Sequence, residues 1–202
     1  MIAIIDYDAG NVNSVEKALQ ALNQDVVVTK DRDTLLKADK VILPGVGAFG
    51  DAMEKLHAYG LVDVIDEIVK MKKPFLGICL GLQLMFDESE ESPGVKGLGI
   101  LKGKIVRFPQ SELKVPQIGC NSLEFPKESV LFKGIDSGEY VYFVHSYYLK
   151  AKEDIVAATT EYGVTVHAAV EKDNVFACQF HPEKSSAVGL NILKNFVEYK
   201  ED

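Results

Sequence analysis

The first hundred residues alternate short β-branched runs with stretches whose apolar residues recur at helical spacing, and this alternation limits the fold more than any other feature. Strand-like runs cover Ile2 to Ile5, Val26 to Thr29, Lys40 to Leu43 and Phe75 to Ile78. Between them Val12 to Leu22, Phe49 to Leu56 and Leu61 to Met71 read as helices. The first has Val15, Ala18, Leu19 and Leu22 on one face and Asn11 or Asn13 in position to cap it. Gly60 suits the stop between the second and third. Strands separated by helices pair in parallel, with the helices crossing over the faces of the sheet.

After residue 100 the pattern changes. Lys104 to Phe108, Val141 to Val144, Ile155 to Thr160, Val164 to Val170 and Val175 to Phe180 follow one another across Gly or charged turns and read as hairpins added antiparallel to the sheet. A closing helix, Val188 to Tyr199, places Leu190, Leu193, Phe196 and Val197 on one face. The expectation is an α/β fold with a central, mostly parallel sheet extended by antiparallel strands. At 202 residues, with no repeat, low-complexity tract or linker, residues 1–202 read as a single domain.

The formal net charge of −8 argues against a binder of nucleic acid, which needs clustered Lys and Arg to displace counterions. No run of about 18 apolar residues is present to span a bilayer, and Met1 to Asp6 enters a strand without a basic segment or cleavage site. A cytoplasmic protein with neither nucleic-acid nor membrane partners is expected. Cys79, Cys120 and Cys178 are odd in number and lack metal-type spacing, so neither a disulfide framework nor a metal site is expected.

Cys79 lies in Gly77-Ile78-Cys79-Leu80-Gly81, after an apolar strand and before the helical pattern Leu82 to Phe86, which is the thiol version of the nucleophile elbow. A sharp strand-to-helix turn strains the backbone, and flanking glycines relieve the crowding so that the side chain projects above the sheet. The helix N-terminus beneath the sulfur favours negative charge there. Three Cys and 16 Gly in this length give a chance expectation for such a pattern of only about 0.02. An arbitrary Cys at a strand end is usually a small buried hydrophobe, and Cys178 in Val175 to Phe180 reads that way.

A thiol nucleophile needs a base that later protonates the leaving amine. His57 sits on a helical pattern facing solvent, and His167 lies inside a strand without a nearby acid. His181 follows the last apolar strand, and Glu183, two residues on, points to the same side of an extended segment, where its carboxylate can hold one ring nitrogen. Pro182 stiffens the pair.

The segments Pro44-Gly45-Val46-Gly47, Gly77 to Gln83 and Gln179-Phe180-His181-Pro182-Glu183-Lys184 together resemble the three signature segments of the class I, triad-type glutamine amidotransferases, in the same order over nearly the whole chain. Pro44 to Phe49, Ser89-Glu90-Glu91 with Pro93 to Leu98, and Phe143-Val144-His145-Ser146-Tyr147 resemble the glutaminase subunits of imidazole glycerol phosphate synthases. The resemblance implies a three-layer α/β/α, flavodoxin-like fold and a Cys79, His181, Glu183 triad that hydrolyses L-glutamine. It implies an oxyanion hole from the backbone around Val46 and Gly47 with Leu80, and a grip on the amino-acid end of glutamine by Gln83, Glu91, Ser146 and Tyr147. No cofactor is implied. The implied partner is a (β/α)8-barrel cyclase subunit, in a heterodimer that turns the ammonia into imidazole glycerol phosphate and aminoimidazole carboxamide ribotide for histidine biosynthesis.

Lys184, Ser185 and Ser186 follow the triad and are expected at the docking face. The family commonly reads P-H-M-G-W-N where this chain has Pro116-Gln117-Ile118-Gly119-Cys120-Asn121, and the chain has no Trp. Cys120 thus stands in the interface as a smaller apolar filler. The Val46-Gly47 peptide is the expected point of reorientation during activation. The alternatives are the glutaminase of pyridoxal phosphate synthase, a cysteine peptidase on the same architecture and a non-catalytic interaction protein. Val46 and Phe143 to Tyr147 disfavour the first, and Gln83 with the His-Pro-Glu pattern the second. The intact Cys79, His181 and Glu183 disfavour the third.

Overall fold

The computed structural model describes residues 1–200. Its strands are β1 (Ile2–Ile5), β2 (Val26–Thr29), β3 (Lys40–Leu43), β4 (Phe75–Ile78), β5 (Glu88–Ser89), β6 (Gly103–Arg107), β7 (Gln117–Ser122), β8 (Tyr140–His145), β9 (Tyr147–Ala151), β10 (Val156–Glu161), β11 (Thr165–Lys172) and β12 (Val175–Cys178). The helices are α1 (Val12–Ala21), α2 (Arg32–Lys37), α3 (Phe49–Ala58), α4 (Leu61–Lys70), α5 (Leu80–Leu84) and α6 (Ser186–Glu198), with a 3-10 turn at Pro182–Lys184.

Seven strands form the main sheet in the order β10-β11-β12-β4-β3-β1-β2. From β12 to β2 every pairing is parallel, and β10 and β11 add antiparallel at one edge. Successive side chains on a strand point to opposite faces, so each central strand feeds two cores. Ala3, Ile5, Val41, Leu43 and Phe75 pack with α2 to α5 on one side. Ile2, Ile4, Ile42, Leu76 and Ile78 pack with Val15 and Leu19 of α1 and with Ile192, Leu193 and Phe196 of α6 on the other. The result is three layers, α/β/α.

Several local expectations need correction. Two of the later runs do not join the main sheet. β6 pairs with β5 and β9, and β8 pairs antiparallel with β7 in a separate ribbon. Asn11 occupies the N-cap of α1, but its side chain accepts from Ser14 Oγ rather than from the backbone. Leu190 is exposed, because Gly189 seats the first turn of α6 against Pro182, where a Cβ would stand 1.9 Å from the carbonyl oxygen. That contact rotates the buried stripe onto Ile192, Leu193 and Phe196.

Candidate active site

Cys79 directly follows β4 with φ 56° and ψ −111°, and α5 begins at the next residue, two residues earlier than its apolar pattern suggests. This strained geometry persists because the neighbours enforce it. The Cys79 N–H donates to Cys178 O on β12 (2.8 Å), and α5 is pressed so close to β3 that a Cβ on Gly81 would lie 1.9 Å from Leu43 O. A Cβ on Gly77 would meet the Gly81 carbonyl at 2.8 Å. Both flanking glycines are thus required by close backbone approach.

The loop after β12 carries His181 and the loop after β3 carries Pro44 to Gly47, so the site forms at the carboxyl ends of adjacent parallel strands, where open α/β sheets bind ligands. His181 Nδ1 bonds Glu183 Oε1 at 2.7 Å, both side chains being almost wholly buried. His181 Nε2 has no hydrogen-bond partner among the described residues. Burial works against the charged ring, but Cys79 and Glu183 outweigh it and push the His181 pKa up to about 9. The Cys178 thiol lies beneath, pushed well up by burial and then by the charges of Glu183 and Cys79, and it is an inert packing residue.

A cleft of about 310 Å³ opens over Cys79 and His181. Val46, Gly47 and Leu80 line it together with Gln83, Glu91, Ser146 and Tyr147. All the triad, oxyanion and glutamine-binding residues expected from sequence therefore converge, except Glu183, which stands behind His181. Glu91 also caps α3, whose own N-cap residue Ala48 has no side chain to do so, by accepting from Phe49 N–H at 2.8 Å.

Two of the expected oxyanion donors are engaged elsewhere. Val46 N–H donates to Ala9 O (3.1 Å) and Leu80 N–H donates to Gly45 O (3.2 Å). One peptide unit, Gly45-Val46, donates the first bond through its N–H and accepts the second through its carbonyl, so the orientation of that peptide, rather than of the expected Val46-Gly47, governs both donors. Gly45 is packed beneath Tyr7 and Leu80, with room for no side chain.

The residues expected at a docking face divide. Lys184 is exposed with its ammonium 5.8 Å from the Tyr142 ring centroid, and Ser186 is exposed. Ser185 is buried, its hydroxyl donating to His181 O (2.6 Å) and accepting from Tyr142 N–H (3.0 Å), so it braces the triad loop instead of facing outward. Cys120 is exposed on β7 and fills no core space. In the β7-β8 pairing Ile118 stands opposite Val144, Cys120 opposite Tyr142 and Ser122 opposite Tyr140, which puts them on one face of the ribbon. Ile118 is 64% and Tyr140 61% exposed.

Sequence reasoning missed Tyr7, Gln117, His145 and Gln179. Tyr7 is buried and donates to Pro44 O at 2.7 Å, and burial and the Cys79 charge raise its pKa, keeping it a neutral donor. His145 bonds Tyr147 O through Nδ1 (2.8 Å) and the Gln117 amide through Nε2 (2.9 Å). Burial, with the charge of His181, lowers its pKa to about 4 against the Tyr147 bond. His145 and Gln179 sat inside quoted motifs, but nothing local to them signalled a role.

The model of the family "Glutamine amidotransferase class-I" matches residues 3–199. A protein of Methanocaldococcus jannaschii named imidazole glycerol phosphate synthase subunit HisH is 52% identical over 98% of this chain and 99% of its own length. One of the same name from Syntrophotalea carbinolica is 53% identical over 97% of this chain and 98% of its own. Among solved structures, a glutamine amidotransferase superposes with a TM-score of 0.77 at 19% identity, covering 98% of both chains, a likeness of fold alone.

Proposed function

The chain belongs to the class I glutamine amidotransferase family, and from that premise we infer that it is the glutaminase subunit of an imidazole glycerol phosphate synthase, hydrolysing L-glutamine to glutamate and ammonia. The observation that carries the reading is Cys79 on its strained elbow in one cleft with the His181-Glu183 pair.

In the proposed mechanism, Cys79 sulfur attacks the side-chain carbonyl carbon of glutamine, and His181, held by Glu183, gives its proton to the departing amine. Ammonia leaves and a thioester remains. His181 then takes a proton from water as that water attacks the thioester, and glutamate departs with Cys79 restored. The negative oxygen formed in each half needs preorganised N–H donors. Rotation of the Gly45-Val46 peptide would release the Val46 and Leu80 N–H groups together, because it would turn the Val46 N–H away from Ala9 O and the Gly45 carbonyl away from Leu80. These two oxyanion donors are thus occupied at rest, which supports low activity until a partner favours the rotated form.

The glutamine grip follows from what the lining groups can still offer. Both protons of the Gln83 amide nitrogen go to acceptors, Tyr147 O and Gln179 Oε1, so Gln83 presents its oxygen to substrate. That oxygen and the Glu91 carboxylate suit the α-ammonium, and backbone N–H groups at Ser146 and Tyr147 suit the α-carboxylate. The ammonia passes to a cyclase subunit, expected to be a (β/α)8 barrel, that makes imidazole glycerol phosphate and aminoimidazole carboxamide ribotide. The exposed ribbon face with Ile118 and Cys120, beside Lys184 and Ser186, supports docking next to the cleft. The half-identical full-length relatives named for this synthase disfavour the pyridoxal phosphate synthase reading.

The test mixes the chain with a cyclase subunit and its nucleotide ligand and follows glutamate release. Cys79→Ala is expected to abolish release, and undiminished turnover in that variant would remove the assignment. The chain alone is expected to turn over slowly.

A further inference from the structure

Gln179 directly follows β12 and is 0% exposed, so its amide must find partners inside the protein. The partners fix which way it faces. Tyr147 O is a carbonyl and can only accept, so the Gln83 atom 3.2 Å from it is the amide nitrogen. The same nitrogen lies 3.0 Å from the Gln179 amide, which must meet it with Oε1. That leaves Gln179 Nε2 on the far side, 3.8 Å from Cys79 Sγ, a long contact of the length that N–H groups make to sulfur. His145 holds Tyr147 O from its other side, and Gln117 holds His145. The side chains that carry the chain of bonds from β7, those of Gln117, His145, Gln83 and Gln179, are all buried, as is Cys79 at its end, while Tyr147, which lends its carbonyl, is half-buried.

We propose that Gln179 is a catalytic residue whose side-chain amide donates to the Cys79 sulfur in its thiolate form, and that Gln83 and the Tyr147 carbonyl impose the orientation this requires. A thiolate accepts a hydrogen bond far more strongly than a thiol, so the donor favours the reactive form and aims it. Once the sulfur becomes part of the neutral thioester the bond weakens, so the group acts mainly on the free nucleophile. The inference rests on Cys79 being the nucleophile, but not on the substrate.

The test uses the full chain without glutamine or partner. The rate of Cys79 alkylation by iodoacetamide is measured against pH and resolved by peptide mass spectrometry, so that exposed Cys120 serves as an internal reference. In Gln179→Leu the midpoint of the Cys79 profile is expected to rise by about one unit, about tenfold in rate at any pH below it. In the near-isosteric Gln179→Glu, a carboxylate facing the sulfur, the rise is expected to be larger. An unmoved midpoint in either folded variant, judged by circular dichroism, overturns the proposal, and Gln179→Glu preserves the test if the Leu variant fails to fold. A Cys79 no more reactive than Cys120 in the wild type would instead refute the nucleophile assignment, an outcome separable from the first.

Discussion

At the scale of single residues, the site is a buried ring between two groups that favour its charge. His181 gains proton affinity from Cys79 and Glu183 in spite of its burial, and the other carboxylate oxygen of Glu183, Oε2, has no hydrogen-bond partner among the described residues. Glu183→Gln keeps a hydrogen-bonding atom beside Nδ1 but removes the charge. The His181 midpoint, followed by NMR of the ring, is expected to fall from about 9 toward the ordinary imidazole range. Glutamate release in the complex is expected to drop on the order of a hundredfold. A midpoint that stays near its wild-type value would show that the carboxylate does not set the ring's charge. Cys79, His181 and Glu183 were legible in sequence because the elbow and the His-Pro-Glu turn are local patterns with local causes. Gln179 was not, since an amide at a strand end acquires its donor direction only when Gln83 and Tyr147, far away in sequence, meet it.

At the scale of elements, backbone contact at α5 and a buried histidine on β8 each set a measurable stability. Gly81→Ala would drive a methyl group into Leu43 O, so α5 must move off β3. The expected destabilisation is about 2–4 kcal/mol in urea unfolding, with activity falling further because the elbow moves too. An unaffected unfolding midpoint would show that α5 is free to shift. At the end of β8, His145 is 6% exposed and held neutral, its pKa lowered to about 4. The unfolded chain therefore binds a proton between about pH 6.5 and 4 that the folded chain refuses. Stability from this residue is complete above that window and is lost as pH falls through it, by up to roughly 3 kcal/mol. His145→Gln is expected to flatten that part of the stability curve, and equal slopes for the two proteins would contradict it. The parallel strands and long helices were readable because their periods of 2 and 3.6 are distinct. Strand β7 was not, because Gln-Ile-Gly-Cys-Asn-Ser has only Ile118 and Cys120 as apolar positions, both on the exposed face, and is held by β8 rather than by its own pattern.

At the scale of the whole molecule, two cores on opposite faces of one sheet leave the carboxyl ends of β3, β4 and β12 to carry chemistry, while the β7-β8 ribbon stands apart from that sheet. The ribbon's inner residues and outer residues have different work. Val141 and Phe143 are buried in the core, and His145, held by Gln117, braces the Tyr147 carbonyl at the cleft. Between them Ile118 turns outward with 64% of its surface exposed, one position along β7 from Gln117. A partner that covers Ile118 would therefore press on the strand that holds His145, and through it Tyr147 O and Gln83. Ile118→Asp places a charge on that face without touching the core. Affinity for the cyclase subunit, measured by calorimetry, is expected to weaken at least about tenfold, as for truncation of a central apolar contact. The unfolding midpoint of the isolated chain is expected to stay within about 0.5 kcal/mol of wild type, since the side chain is exposed. Unchanged affinity would move the docking surface off the ribbon and toward Lys184 and Ser186 alone. Reduced stability would show that the ribbon folds back on Ile118 instead of offering it.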